Sequence, residues 1–526
     1  MLNFQWFNYL FNRRIKYILG ALSVVFVFGC KSNYINKPTA LVSDKKENIV
    51  SAILNKKDSF YYTNFNDYNY KDKSLPIGVF DSGIGGLTVL DAIVNYDKNN
   101  NKTHNNGSDG APDFEKESFV YFGDQANMPY GNYSEVNKVD LLKEHIIKDA
   151  QFLLSNKYYA TADDLKANTD KKPVKVIVIA CNTATAYGKE FIEEFIEKAK
   201  LDIKVIGVID AGARGVLEIF QKSEDGIVGV LATVGTVSSK GYPNTILKFK
   251  DQLGYTGKIE VFSQGGLGIA ESVDEDRNYF NKNLTQPREE YKGPSLNGQT
   301  KIDKALLKVY NFNFEKSKML CDSKNVDDCA TLQINDAENY VRFHLVSLLE
   351  KIRISNTKNK LKAIVLGCTH YPYLTTEINS VLQELYNYKN ELGNYVYRDF
   401  MTEKIQLIDP SINTAKELFE YLNSKSLFNP NGTINSSEFY ISVPNKNNKY
   451  IQINKEGSFS YDYKYGRKEG EIQEYTKTVP FSRSTISDDI VSRLHTKIPN
   501  LFQLISIFNN KSKKTDFLKD NEKIGS

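Results

Sequence analysis

The sequence predicts an α/β protein built on open parallel sheets, and three observations carry that prediction. Val176-Ile177-Val178-Ile179 and Ala363-Ile364-Val365-Leu366 are continuous aliphatic runs, the pattern of strands buried on both faces. Each gives way to a small residue and then a cysteine motif, Ala180-Cys181-Asn182-Thr183 and Gly367-Cys368-Thr369-His370. Finally, Ile77 to Leu90 and Val228 to Val237 both read as strand, glycine-containing turn and helix start, and each precedes one of those motifs, a weak internal duplication. Residues just past the carboxyl ends of such strands line the ligand crevice of an open α/β sheet. The two thiols therefore read as half-sites facing one ligand, against the alternative that they pack as small core hydrophobes.

A chain of 526 residues exceeds one ordinary core and implies two or three domains. With 68 basic and 64 acidic side chains the net charge is only +4, and no basic stripe is concentrated anywhere, so a nucleic-acid partner is not expected. At the N-terminus, Arg13, Arg14 and Lys16 precede the mainly apolar run Tyr17 to Gly29, which ends at Cys30 and the polar Lys31-Ser32-Asn33. That order is the order of a secretory signal, and the run is short for a membrane span. Val27-Phe28-Gly29-Cys30 resembles a bacterial lipoprotein processing site, with Cys30 as the lipidated residue after removal of 1–29; an uncleaved anchor is the alternative. From 30 to 75 the chain is polar without sustained period and reads as a tether. The remaining cysteines of the five are Cys321 and Cys329, which in an oxidising compartment suit a disulfide and otherwise are two free thiols.

Folded sequence begins at Pro76. Ile77 to Phe80 is a strand, and Asp81-Ser82-Gly83-Ile84-Gly85-Gly86 is a glycine-rich turn into a helix beginning near Leu87, a geometry that brings backbone N–H groups to an anion. It lacks the Lys-Ser/Thr of a P-loop and the acid of a dinucleotide fingerprint. The stretch 99–112 is an exposed loop, and Phe119 to Phe122 is a strand ending in the loop Gly123 to Gly131, whose path Pro129 and Gly131 set. Glu338 to Ile354 has helical spacing. Glu438 to Val443 is a strand, Tyr450–Ile453 with Phe459–Tyr463 suggests a β-hairpin turning at 454–457, and Leu494 to Phe508 returns to helical spacing.

Four motifs in this order resemble those of glutamate racemases, in the aspartate/glutamate racemase superfamily: Phe80-Asp81-Ser82-Gly83-Ile84-Gly85-Gly86-Leu87; Tyr121-Phe122-Gly123-Asp124 through Pro129-Tyr130-Gly131; Ala180-Cys181-Asn182-Thr183-Ala184; and Leu366-Gly367-Cys368-Thr369-His370-Tyr371-Pro372. The likeness runs from about Pro76 to Leu418. It implies two pseudo-symmetric open α/β domains with the active site between them and no cofactor; no metal set is expected. By analogy the first domain takes 76–204 and 395–428, the second takes 205–394, and 429–526 is a C-terminal extension.

The resemblance also implies roles. Cys181 and Cys368 would be acid/base groups on opposite faces of Cα, one thiolate and one thiol, and Asp81 and His370 would assist them by proton transfer or orientation. Asp81, Ser82, Tyr130, Gly131, Asn182, Thr183, Thr369 and His370 would bind a small acidic amino acid, whose two carboxylates need several fixed donors. The plainer alternatives are helix caps for Ser82 and Thr183, a rim aromatic for Tyr130 and a turn histidine for His370. Where the family carries a Cys-Pro segment followed by an acid, this chain reads Ser263-Gln264-Gly265-Gly266-Leu267-Gly268-Ile269-Ala270-Glu271, and Glu271 matches that acid. Residues 278–336 are an insertion holding Cys321 and Cys329.

The expected function is interconversion of L- and D-glutamate for cell-wall metabolism by a lipoprotein of the cell envelope, or in the cytoplasm if the N-terminal segment is not a working signal. Expected partners are the amino acid, the membrane through Cys30 and, left open, a second copy of the chain. Alternatives are a racemase of aspartate or another acidic amino acid, another isomerase or lyase of the superfamily, and a non-catalytic ligand-binding lipoprotein.

Overall fold

In a computed structural model the described residues are 48–66 and 68–525, so the N-terminal signal segment and Cys30 lie outside them. Among the described residues no helix is long and apolar enough to cross a membrane. Strands β1 (Ile77–Asp81), β2 (Phe119–Gly123), β3 (Val176–Ile179) and β4 (Lys204–Gly207) belong to the first sheet, and β5 (Gly226–Ala232) and β6 (Ile259–Gly265) to the second. A small hairpin of β7 (Met319–Cys321) and β8 (Leu332–Ile334) follows. Next come β9 (Leu361–Gly367) and β10 (Met401–Ile408) in the second sheet, then β11 (Glu438–Pro444) and β12 (Thr476–Pro480), which return to the first.

The sheet orders are β12-β11-β2-β1-β3-β4 and β10-β9-β5-β6, parallel throughout except for β12. β1, β2, β3 and β5 are buried along their whole length, which is why they read as unbroken apolar runs. In each sheet the strand leading into a turn with glycine, β1 or β5, is hydrogen-bonded to the strand leading into a cysteine, β3 or β9. The weak duplication in the sequence thus corresponds to matching neighbours in two lobes.

Several boundaries differ from the sequence reading. The tether is structured from Asn48: Ile49–Asn55 is a helix capped by the Asn48 side chain, and Ile49 and Ile53 enter the first core. Its i, i+3, i+4 apolar set of Ile49, Ala52 and Ile53 spans too little chain to show as a sustained period. Gln151 Nε2 then donates to Tyr61 O and Thr63 Oγ1, both at 3.0 Å, fastening the following segment to the same lobe. The crossings also shift. β4 still pairs with β3, so the chain leaves the first lobe after Gly207 rather than at Lys204. β10 pairs with β9, so 395–408 stays in the second lobe, and the return begins with the helix Pro410–Ser424, whose Ala415, Leu418 and Leu422 lie in the first core.

The C-terminal stretch is likewise not an appendage. β11 adds in parallel to β2, β12 caps the sheet in the opposite sense, and Phe439, Ile441, Leu501, Ile505 and Phe508 complete the first core. The second arm of the expected hairpin is instead the short helix Tyr461–Gly466, capped by Ser460; the hairpin reduces to one bridge between Ile453 and Phe459. Helical spacing over 494–508 resolves into two helices, Asp488–Lys497 and Pro499–Lys511, because Ile498 before Pro499 is held out of the α region. The insertion 278–336 packs on the second lobe: Leu332 and Ile334 share a core with Tyr340 and Val341, and Cys321 and Cys329 form a disulfide with Cα atoms 5.7 Å apart. Because β11 supplies both a hydrogen-bonding edge and core, Phe439→Ala should lower the unfolding free energy by about 3–5 kcal/mol, read from urea denaturation.

Candidate active site

The first half-site is built by the pairing of β1 with β3. Phe80 lies opposite Ile179 and accepts from Ala180 N at 2.8 Å, so Asp81 and Cys181 leave the sheet side by side. Asp81 Oδ2 accepts from Gly83 N at 3.2 Å and Gly86 N at 2.9 Å. Gly86 is required there: a Cβ would stand 2.5 Å from Asp81 Cβ and 2.8 Å from Ala180 Cβ. Burial raises the Asp81 pKa, and the amide hydrogen bonds from Gly86, Ser82 and Gly83 oppose it.

Cys181 caps the helix Asn182–Lys198. Its Sγ accepts from Ala184 N at 3.4 Å and donates to Ser82 Oγ at 3.7 Å. A helix N-terminus favours a thiolate, but burial, followed by the Asp81 charge, wins and pushes the thiol up to about 12. Cys181 is therefore a thiol beside a carboxylate. Next to it, Asn182 Oδ1 accepts from the hydroxyl of Tyr242, in the second lobe, at 2.9 Å, and Thr183 is buried in the first turn.

Cys368 leaves β9 at the corresponding place. His370 Nδ1 lies 3.6 Å from Cys368 Sγ and 3.4 Å from Thr369 Oγ1, and Nε2 lies 3.2 Å from Asp274 Oδ2. Burial alone would lower the His370 pKa; the Asp274 hydrogen bond and then the Cys368 interaction outweigh it and raise it to about 10. Burial would raise the Asp274 pKa, and the His370 hydrogen bond, the His370 charge and then Arg493 outweigh it and hold that carboxyl low. Arg493 Nη1 donates to Asp274 Oδ1 at 2.8 Å and to its backbone oxygen at 3.2 Å. The second half-site is thus a sulfur beside an imidazolium.

The two half-sites meet. A Cβ on Gly85 would lie 3.7 Å from Asp81 Oδ2 in its own lobe and 3.5 Å from Thr369 Oγ1 across the cleft, and one on Gly131 would lie 3.7 Å from Gly235 Cα on the other side. Cys181 and Cys368, the free cysteines among the described residues, are both buried, along with the strands that carry them.

Tyr130 does not offer its hydroxyl to the cleft. It is buried, and the hydroxyl sits 2.6 Å from both Asp124 Oδ2 and Asp149 Oδ2 within the first lobe. One hydroxyl proton serves one of these contacts, and the other is closed by a protonated Asp149, whose pKa burial and the Asp124 charge drive far up. Glu271 caps its own helix Ile269–Val273 by accepting from Gly268 N at 3.0 Å; burial raises its pKa, and the His370 charge opposes that rise. The direct partner of His370 is Asp274, missed in the sequence although it lies one helical turn past Glu271. Arg493 carried no local signal.

A cavity of about 40 Å³ lined by His145, Asp149, Arg467 and Tyr475 lies within the first lobe and touches neither Cys181 nor Cys368. Among the described residues, metal-ligand types converge at Cys321, Asp322 and Cys329, where both sulfurs are joined as the disulfide. No family model matches the chain. It is similar to a glutamate racemase of Thermoanaerobacter pseudethanolicus, 26% identical over 370 residues, covering 70% of this chain and 88% of that one. It is also 33% identical to a glutamate racemase of Oceanobacillus iheyensis over 186 residues, 35% of this chain and 51% of that one. Among solved structures, a glutamate racemase isoform from Bacillus anthracis is 23% identical with a TM-score of 0.40, covering 70% of this chain and 88% of that one. Both curated relatives are glutamate racemases, which are isomerases, and this chain is longer than they are.

Because the raised pKa of His370 reflects a gained partner, its contribution to stability is complete below about 6.5 and is lost as pH rises through about 10. Asp274→Asn leaves burial unopposed by that carboxylate, so the His370 pKa should fall well below about 10, measured by NMR titration of the imidazole ring.

Proposed function

We propose that this relative of the glutamate racemases interconverts L- and D-glutamate without a cofactor, using Cys181 and Cys368 as the acid/base pair. The observation that carries the reading is the pair itself: two free, buried thiols at equivalent strand ends of two facing lobes, each with its own ionisable partner. Binding alone needs no such pair. In one direction Cys368, as thiolate beside the His370 imidazolium, takes the Cα proton; the C–H bond breaks, an S–H bond forms, and the electron pair stays on Cα and its carboxylate. Cys181 then delivers its proton to the opposite face and is left as the thiolate. For the reverse direction the Cys181 proton must first pass to Asp81, within hydrogen-bonding reach of the sulfur, and Cys368 must take a proton from the His370 imidazolium, 3.6 Å away, which it then delivers to Cα.

Ser82, Asn182, Thr183 and Thr369, with the backbone N–H groups of the glycine turn, supply donors for a small dicarboxylate. In this reading the Tyr130-Gly131 segment contributes its backbone, since the Tyr130 hydroxyl is engaged elsewhere. We read the N-terminal segment as a lipoprotein signal with Cys30 as the anchor, placing the enzyme in the cell envelope, where D-glutamate would enter or leave cell-wall metabolism. The disulfide Cys321–Cys329 favours an oxidising compartment over the cytoplasm.

In deuterated water under reducing conditions, L-glutamate should yield D-glutamate carrying deuterium at Cα, followed by chiral separation and mass. Cys181→Ala and Cys368→Ala should each lower the rate by roughly 10²–10⁴-fold. Near-normal turnover in either variant would sink the two-thiol mechanism. Conversion of L-aspartate alone would move the substrate to that acid, and no exchange with either would favour the non-catalytic reading.

A further inference from the structure

The helix Asp488–Lys497 is rooted in the first lobe and touches the second. Val491 and Leu494 belong to the first core, as do Leu501, Leu504 and Ile505 of the helix that follows. Asn500 Nδ2 donates to Asn95 Oδ1 at 2.6 Å, at the end of the helix Leu87–Val94 that the glycine turn of Asp81 begins. From this base Arg493 reaches Asp274, and the Lys497 ammonium lies 5.4 Å from the ring centre of Tyr373; both targets belong to the second lobe.

Asp274 divides its carboxylate, giving Oδ1 to Arg493 and Oδ2 to His370. Its side chain is 39% exposed, as is that of Arg493, so the pair adds little to stability as a surface salt bridge, and without Arg493 the carboxylate is free to turn toward water. The other groups facing His370 do not replace it: Glu271 is spent on Gly268 N, and Cys368 and Thr369 lie on the Nδ1 side.

We propose that Arg493 is a positioning residue for the second half-site: from the first lobe it holds Asp274 in the orientation that keeps His370 against Cys368. The helix Asp488–Lys497 thereby ties the first lobe to the His370–Cys368 pair. The proposal rests on the racemase reading for its purpose, and on the Arg493–Asp274–His370 geometry for its content.

The test uses the full chain with Arg493→Met, Arg493→Lys, Asp274→Asn and the double variant R493M/D274N. Iodoacetamide alkylation of Cys368 relative to Cys181, followed by peptide mass spectrometry without substrate, reports the thiolate at Cys368 with access to the cleft normalised. Arg493→Met should lower that ratio by roughly 3- to 10-fold, Asp274→Asn by at least as much, and the double variant no further than Asp274→Asn. Arg493→Lys should restore part of it. In glutamate turnover, Arg493→Met should lower kcat with little change in KM. An unchanged ratio in Arg493→Met, or effects that multiply in the double variant, would overturn the proposal. A wild-type chain that racemises neither acid, while the ratio still falls in Arg493→Met, would overturn the racemase reading and leave the positioning role standing.

Discussion

Burial of parallel strands on both faces constrains everything else in this molecule. Every side chain of β3 and all but Lys362 of β9 are buried, so reactive groups can stand only past the strand ends, where Cys181 and Cys368 lie. The neighbouring strand in each sheet, β1 or β5, ends in a turn containing glycine, where chain segments approach too closely for a side chain. Gly86 shows the point directly, because any side chain there would collide with Asp81 and Ala180. The two sheets repeat one arrangement, and the cleft is where the two copies face each other.

The copies are not electrostatically equal. Cys181 sits beside a carboxylate, and burial together with that negative charge overcomes the helix terminus to keep it protonated. Cys368 sits beside an imidazole that its own carboxylate partner keeps cationic despite burial. The two sulfurs therefore stand in opposite surroundings, Cys181 beside a carboxylate and Cys368 beside an imidazolium. The asymmetry is maintained by side chains around the cysteines, Asp81 on one side and Asp274 on the other, since the strand ends themselves are alike.

The chain on either side of the shared core is integrated by ordinary forces. Residues from Asn48 onward pack a short helix on the first lobe, β11 and β12 extend its sheet, and the disulfide-bonded insertion packs against the second. In the first lobe this added chain includes the helix Asp488–Lys497, whose Arg493 and Lys497 reach residues of the second. Sequence periodicity separated these regions from the core because it measures local pattern, whereas their attachment consists of hydrogen bonds and apolar contacts to distant residues.

Much of the fold and part of the candidate site's geometry were legible in the chain. The runs 176–179 and 363–366, the glycine turn at 81–86 and the two cysteine motifs are each set by residues a few positions apart, and steric preference and burial act on that scale. The engagement of the Tyr130 hydroxyl by Asp124 and Asp149, the membership of β10 in the second sheet and the choice of Asp274 over Glu271 as the partner of His370 were not legible. Each depends on which groups come within about 3 Å after folding, and hydrogen bonds weaken steeply beyond that reach. The sequence by itself determined that two cysteines would end two buried strands. Only the tertiary structure decided which charges would stand beside them, because those charges come from turns and helices far away in the chain.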